Sequence, residues 1–236
     1  MKKNNEFSLD NYSKGITPEP PTYSILLEKK KQLNLVGSDL NDIKLNSHTI
    51  IKNSNLTAHQ LIEHISTKGF NIKDIKLFDV GCGLGFLTNE LAKKIGYKNV
   101  YCCDPAPSAK KFIDLEFPNL NFIYSDIEQI PKNLNNSFDV IYLREVYPFT
   151  RTNDLSLHKK LLEKLFNITK KNGIIILEQI KGEKNIFNNL NKLNYKYDIK
   201  IFIPNKLFNN MFVIILNRFS YVFFDLILSI LYKLKK

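Results

Sequence analysis

Three glycines spaced by two residues follow a short apolar run and form the part of the sequence best suited to bind a ligand. The segment reads Asp79-Val80-Gly81-Cys82-Gly83-Leu84-Gly85-Phe86. Glycine permits sharp backbone turns and lets a ligand approach the main chain closely. The N–H groups that open the helix predicted after this loop favour a negatively charged ligand group. The segment therefore predicts a nucleotide-type site at the end of a strand.

The spacing of the glycines separates two classes of ligand. A dinucleotide loop, G-x-G-x-x-G counted from Gly81, needs its third glycine at position 86, which is Phe86. The third glycine is instead Gly85, and the acidic residue Asp79 precedes the first. This pattern, D-x-G-x-G-x-G, resembles the first motif of the class I, Rossmann-like S-adenosylmethionine-dependent methyltransferases.

Other segments agree with this resemblance, which covers about residues 75–180. Asp104 lies 19 residues after Gly85, and the resemblance implies that its carboxylate accepts hydrogen bonds from the ribose hydroxyls. It also implies that Asp126 contacts the adenine amino group. Residues 138–146 and 172–176 are similar to the fourth and fifth strand motifs of the family. The implied cofactor is S-adenosyl-L-methionine, no metal is implied, and the implied cofactor-binding residues are Asp79, Gly81, Cys82, Gly83, Gly85, Phe86, Asp104, Pro105, Asp126, Ile127 and Leu143.

Apolar and polar periodicities alternate along the middle of the chain in the manner of βαβ units. Strands are predicted at 76–80, 100–103, 122–124, 138–143 and 174–177, and helices at 84–95, 108–116 and 154–170. Asn172-Gly173 is predicted to end the last of these helices. Two further strands at 198–203 and 211–216 would form a hairpin. The expected fold class is α/β, a doubly wound, mostly parallel seven-stranded sheet with an antiparallel edge hairpin, an N-terminal helical cap and a C-terminal amphipathic helix.

Three regions are expected: an N-terminal arm and helical cap at 1–70, the Rossmann-like methyltransferase core at 71–216, and the amphipathic helix at 217–236. Within the cap, helical signals cover 23–34, and a polar stretch follows around 38–54. The residues Thr57-Ala58-His59-Gln60 resemble a capping box that opens a helix at 61–68.

Candidate catalytic residues follow the fourth strand, at the sheet edge where open α/β sheets bind ligands. They are Arg144, Glu145 and Tyr147, with Arg151 and His158 further on. In methyl transfer from a sulfonium, the main task of the side chains is to position the acceptor in line with the methyl group. A general base is needed only when the acceptor still carries its proton. The two arginines could grip a phosphate or carboxylate, or could form surface ion pairs. His158, among leucines and lysines, favours a structural role.

The net charge and the number of cysteines limit which classes of protein the chain can belong to. The net charge is +11, and residues 181–236 contain ten Lys/Arg against three Asp/Glu. This balance suggests an anionic partner or a solvated lysine-rich surface. Three cysteines without metal or disulfide spacing fit a reducing compartment. Because no signal-peptide run opens the sequence, a cytoplasmic protein is expected.

The sequence says less about the acceptor of the methyl group than about the cofactor. No Asn/Asp-Pro-Pro-Tyr/Phe motif follows the fourth strand, which makes nucleic acid an unlikely acceptor. Residues 219–232 are almost wholly apolar, and lysines follow them. They predict a helix at the inner face of a membrane, or one packed on protein.

The expected function is methyl transfer (EC 2.1.1.-) to a small, anionic acceptor near the membrane: a lipid-linked or phosphorylated glycan intermediate, or a quinone precursor. Alternatives are an aminopropyltransferase and a non-catalytic cofactor-binding module; the oligomeric state stays open.

Overall fold

The structure is a computed structural model that describes residues 47–150, 152–180, 189–190, 192–193, 197–202 and 211–217. A parallel sheet of five strands forms its centre, in the order β3-β2-β1-β4-β5. The strands are β1 (Leu77–Val80), β2 (Val100–Cys103), β3 (Asn121–Ile123), β4 (Phe138–Arg144) and β5 (Thr169–Ile180). The predicted α/β fold with a parallel sheet is confirmed. Because the strand order reverses at β1, the crevice between β1 and β4 is where such sheets bind ligands.

Helices cover both faces of the sheet. They are α1 (Ser47–Thr67), α2 (Phe86–Ile95), α3 (Pro107–Glu116), α4 (Tyr147–Thr150) and α5 (Leu155–Ile168), with 3-10 turns at Tyr97–Asn99 and Lys132–Leu134. Side chains alternate across the strands, so one core forms between β1 residue Leu77 and helices α1 and α2. The other forms between Phe78 and helix α5.

Two further strands, β6 (Tyr197–Phe202) and β7 (Met211–Asn217), run antiparallel to their neighbours. Ile175 of β5 is level with Leu216 of β7, and Phe202 of β6 is level with Met211. Among the described residues, no helix is both long and apolar enough to cross a membrane. The predicted helices at 23–34 and 219–236 lie outside the described residues.

The prediction of a helix that opens near Thr57 is wrong, because α1 already begins at Ser47. The buried stripe of α1 contains Ser54, Thr57 and Ala58 ahead of Leu61. In the described part of that stripe, small and hydroxyl-bearing side chains precede Leu61, so hydrophobic periodicity detected only the part from Leu61 onward.

The boundary between α5 and β5 also differs from the prediction. Helix α5 ends at Ile168, and Asn172-Gly173 lies inside β5 instead of ending a helix. Thr169, the first residue of β5, pairs with Phe138 at the start of β4, and the register between the two strands shifts between Phe138 and Val140. Lys170 Nζ lies 2.8 Å from Asp139 Oδ2 and holds this contact.

Replacing Gly173 with alanine should lower the free energy of unfolding by about 1–3 kcal/mol. A Cβ at this position would lie 2.6 Å from Thr169 Cγ2 and 2.8 Å from the Asp139 carbonyl oxygen. Urea denaturation measures the loss. Asn172→Ala, at the exposed neighbouring position, is the control and should change the free energy by less than about 0.5 kcal/mol. Equal stability of the two variants would contradict the close approach of β4 at Gly173.

Candidate functional site

The glycine loop connects β1 to α2 and is tied to the end of β2. The N–H groups of Gly81 and Cys82 donate to the Cys103 carbonyl oxygen, at 2.8 and 3.0 Å. Gly81, Gly83 and Gly85 have φ of 76°, 56° and 78°, in the left-handed region that favours glycine. The loop therefore needs all three glycines to turn the chain from the strand into the helix.

Two of these glycines also lie against side chains that a Cβ would crowd. A Cβ on Gly81 would meet Val146 Cγ2 at 2.8 Å, and one on Gly85 would meet Ile113 Cγ1 at 3.1 Å. Val146 follows β4, so this contact fixes the glycine loop against the segment that carries the candidate catalytic residues.

Asp79 is a buried carboxyl group beneath the loop. Its side chain accepts a hydrogen bond from Thr88 Oγ1 of α2 at 2.6 Å. Burial raises the pKa of Asp79 from 3.8 to about 7; the Thr88 hydrogen bond opposes the rise, and the negative charge of Asp104 adds to it. A positively charged ligand nearby would favour the ionised form of this carboxyl.

Asp104 follows β2 and faces the glycine loop. Its Oδ2 accepts from Gly83 N at 2.9 Å and its Oδ1 accepts from Ala106 N at 2.9 Å. These two amide donors fix the carboxylate at the carboxyl edge of the sheet, where the ribose hydroxyls of a nucleoside could donate to it. Pro105 is half-buried beside it. The donor and acceptor chemistry of the loop and of Asp104 fits S-adenosylmethionine.

The other residues implied as cofactor contacts are distributed between the edge and the core. Asp126 is buried, and its Oδ1 accepts from Gln129 N at 2.9 Å. Phe86 packs its ring against Phe112 and Phe117, with both centroid distances 5.5 Å. The remaining two, Ile127 and Leu143, are both buried in the core that faces α5.

The three cysteines are all free thiols. Cys102 and Cys103 are buried in β2, each among the apolar side chains of one of the two cores. Cys82 in the glycine loop is half-buried, and burial raises the pKa of its thiol well above the ordinary value. A neutral Cys82 contributes shape to the loop and no charge.

The candidate catalytic residues lie at the end of β4 with different exposures. The Arg144 side chain is 26% exposed, with Nε 3.5 Å from Glu178 Oε1. Glu145 has a φ of 52° and its N–H donates to the Glu178 carbonyl oxygen at 2.9 Å. Tyr147 is exposed on α4. Arg151 lies outside the described residues.

Glu178 of β5 is the residue of this edge that sequence reasoning missed. Its Oε2 accepts from the buried Tyr142 hydroxyl, and its Oε1 pairs with Arg144. Burial raises the pKa of Tyr142 well above the ordinary value, and the charge of Glu178 adds to the rise. No local signal marks Glu178 in the sequence, because its burial and its position level with Arg144 appear only in the fold.

His158 is fully buried and joins three segments. Its Nε2 lies 2.5 Å from the Pro148 carbonyl oxygen, and its Nδ1 lies 2.9 Å from Asn189 Nδ2. Nε2 therefore donates and Nδ1 accepts in a neutral ring, and burial lowers the pKa of His158 from 6.5. These contacts fit the predicted structural role of His158, which fixes α4 against α5.

Comparison with known proteins agrees with this geometry. A family model described as a methyltransferase domain matches residues 71–212. The chain belongs to this family, and its core has the fold of the class I S-adenosylmethionine-dependent methyltransferases. A magnesium protoporphyrin IX methyltransferase from Synechocystis, solved with bound S-adenosylmethionine, shares the fold with a TM-score of 0.52 at 15% identity, covering 75% of this chain and 85% of that one.

Two curated relatives are similar in sequence. The malonyl-[acyl-carrier protein] O-methyltransferase of Calditerrivibrio nitroreducens is 28% identical over 55% of this chain and 47% of its own length. The ribosomal RNA small subunit methyltransferase A of Mycoplasmopsis synoviae is 30% identical over 58% of this chain and 54% of its own length. The chain thus spans about half the length of these relatives, whose acceptors belong to different chemical classes.

Proposed function

We propose that this chain transfers a methyl group from S-adenosylmethionine to a small anionic acceptor. The observation that carries the proposal is the connected set formed by the buried Asp79, the left-handed glycines and Asp104. Hydrogen bonds from Gly83 to Asp104 and from Thr88 to Asp79 hold this set together at the point where the strand order reverses. An arrangement of this kind suits a cationic nucleoside cofactor.

The cofactor supplies an electrophilic methyl group on a sulfonium sulfur, which becomes a neutral thioether when the acceptor takes the methyl group. The residues of the chain then have three tasks: to bind, to orient and to exclude water. Arg144, partly exposed at the end of β4, is the proposed contact for a carboxylate or phosphate of the acceptor. Glu145 is the proposed group that receives an acceptor proton where one must leave, and Tyr147 is a further proposed contact of the acceptor.

An anionic small molecule is the acceptor class that Arg144 favours. The malonyl-[acyl-carrier protein] relative acts, by its name, on a malonyl group borne by a carrier protein. A carboxylate, such as the free end of a malonyl group, would pair with the guanidinium of Arg144. A phosphorylated or lipid-linked glycan intermediate and a quinone precursor are further candidates. The rRNA relative makes nucleic acid the competing class.

A search for a methylated product tests the proposed transfer. Cell extract incubated with the protein and cofactor carrying a heavy methyl group should yield a small, anionic product that carries the label. Asp114→Ala, on the exposed face of α3, is the control and should leave the yield unchanged. Label that appears only in RNA would move the acceptor to nucleic acid, and a transferred aminopropyl group would favour the alternative enzyme class. Cofactor binding without any product would favour a non-catalytic module.

We also propose peripheral membrane contact through residues 219–236, at the cytoplasmic face. The support is the apolar run 219–232 with the lysines that follow it. Full-length chain should float with liposomes of anionic lipid, whereas a chain that ends at Asn217 should stay in the dense fraction. Equal recovery of both chains would contradict the membrane contact.

The regions around the site complete the proposal. The proposed division of the chain is a cap over the acceptor at 1–70, a core at 71–216 and an amphipathic helix at 217–236, whose first residue, Asn217, also ends β7. The antiparallel hairpin of β6 and β7 extends the sheet to seven strands. Support for the hairpin is the continuous register between Ile174 and Ile180 of β5 and their partners in β7.

A further inference from the structure

A network of buried polar and charged side chains lies at the carboxyl ends of β1, β4 and β5. Glu178 joins Tyr142 through one carboxylate oxygen and Arg144 through the other. Asp79 is level with Tyr142 in the β1–β4 register, so the two side chains lie on one face of the sheet. The charge of Arg144 lowers the pKa of Asp79 and the charge of Glu178 raises it, so the three groups are electrostatically coupled.

Acidic groups outnumber basic ones in this network. In the described part of the chain, the carboxyl groups that act on Asp79 and Arg144 include Asp104, Glu145 and Glu178. Three carboxyl groups, those of Glu178, Glu145 and Asp79, thus act on the guanidinium of Arg144, and a fourth, that of Asp104, acts on Asp79. The Glu178 side chain is only 7% exposed, so water and salt screen its charge weakly.

A ligand that contacts the glycine loop and Asp104 lies over the carboxyl ends of β1 and β4, which carry this network. The cofactor before and after transfer differs by one methyl group and one positive charge on sulfur. A fixed negative charge near the sulfur therefore stabilises the sulfonium form more than the thioether form.

We propose that Glu178 is a specificity-determining residue that makes the site prefer S-adenosylmethionine to S-adenosylhomocysteine. The inference rests on the proposed methyl transfer and extends it to the exchange of used cofactor for fresh cofactor. Glu178 acts through its charge, while its hydrogen bond to Tyr142 and its ion pair with Arg144 fix where that charge lies.

Isothermal titration calorimetry of both ligands, with wild-type protein and Glu178→Gln, tests this role. Glutamine keeps the size of the side chain and an oxygen that accepts from Tyr142, but it has no charge. At about pH 8, where Asp79 is mostly ionised, the preference for S-adenosylmethionine should fall roughly tenfold in the variant. The Kd of S-adenosylhomocysteine should stay within about threefold of wild type, because that ligand has a neutral sulfur.

Two matched variants separate charge from structure. Tyr142→Phe removes the hydrogen bond to Glu178 without changing any charge, and the ligand preference should stay within about threefold of wild type. Arg144→Gln removes the positive charge and should increase the preference for S-adenosylmethionine. This variant tests the role of charge independently if Glu178→Gln fails to fold. Equal weakening of both ligands in Glu178→Gln, or a decrease in Arg144→Gln, would overturn the inference. Wild-type protein that binds neither ligand would instead overturn the proposed function.

Discussion

Replacing Asp104 with alanine should weaken the binding of S-adenosylmethionine by roughly 30- to 100-fold, equivalent to about 2–3 kcal/mol. The variant loses the carboxylate proposed to accept hydrogen bonds from the ribose hydroxyls. It also removes the acceptor for Gly83 N and Ala106 N, which both donate to Asp104 at 2.9 Å. Isothermal titration calorimetry measures the change directly.

The control for Asp104→Ala is Asp114→Ala. Asp114 is half-exposed on α3 and pairs with Lys110, so its loss removes a solvent-exposed carboxylate that is not proposed as a cofactor contact. Cofactor affinity should stay within about twofold of wild type, because exposed ion pairs contribute little to stability. If Asp104→Ala binds the cofactor as tightly as Asp114→Ala does, Asp104 is not a cofactor ligand.

Replacing Asp79 with asparagine should make the stability of the protein less sensitive to pH. The raised pKa of about 7 means that the folded state binds the Asp79 proton more tightly than the unfolded chain, whose value is near 3.8. The free energy that Asp79 contributes to folding is therefore retained at low pH and falls by about 1.4 kcal/mol per pH unit between about pH 4 and pH 7. Asparagine has no proton to lose and can still accept from Thr88.

Urea denaturation across this pH range measures the Asp79 effect as a difference between variant and wild type. Asp79→Asn should match wild type near pH 4 and exceed it increasingly up to about pH 7, where the difference levels off. Asp114→Asn, at an exposed position, should show a difference that does not change with pH. A constant difference for Asp79→Asn would show that the Asp79 carboxyl ionises normally in the folded protein.

Local patterns predicted where the glycine loop lies because its residues are adjacent in sequence. The glycine loop spans seven residues from Asp79 to Gly85, and its spacing alone distinguished it from a dinucleotide loop. The strands that flank it are short apolar runs whose ends place Asp79 and Asp104 at one edge. In the loop, residues that are neighbours in sequence are also neighbours in space. The prediction of the loop therefore needed no tertiary information.

The features that sequence reasoning missed depend on contacts between distant segments. Glu178 is identified as part of the site only through its pairing with Arg144 across β4 and β5, 34 residues apart in sequence. The early start of β5 depends on the backbone of β4, which approaches Gly173. The early start of α1 escaped detection because the described part of its buried stripe contains Ser54 and Thr57 ahead of Leu61, where α1 packs against α2. In each case tertiary packing outweighed the local signal.

The central claim is that the loop, Asp79 and Asp104 form a site for S-adenosylmethionine. Isothermal titration calorimetry of the full chain with this cofactor tests the claim most directly. The account predicts saturable binding with one cofactor per chain, which Asp104→Ala weakens strongly and Asp114→Ala leaves intact. Absence of binding to both S-adenosylmethionine and S-adenosylhomocysteine by a folded wild-type protein would contradict it.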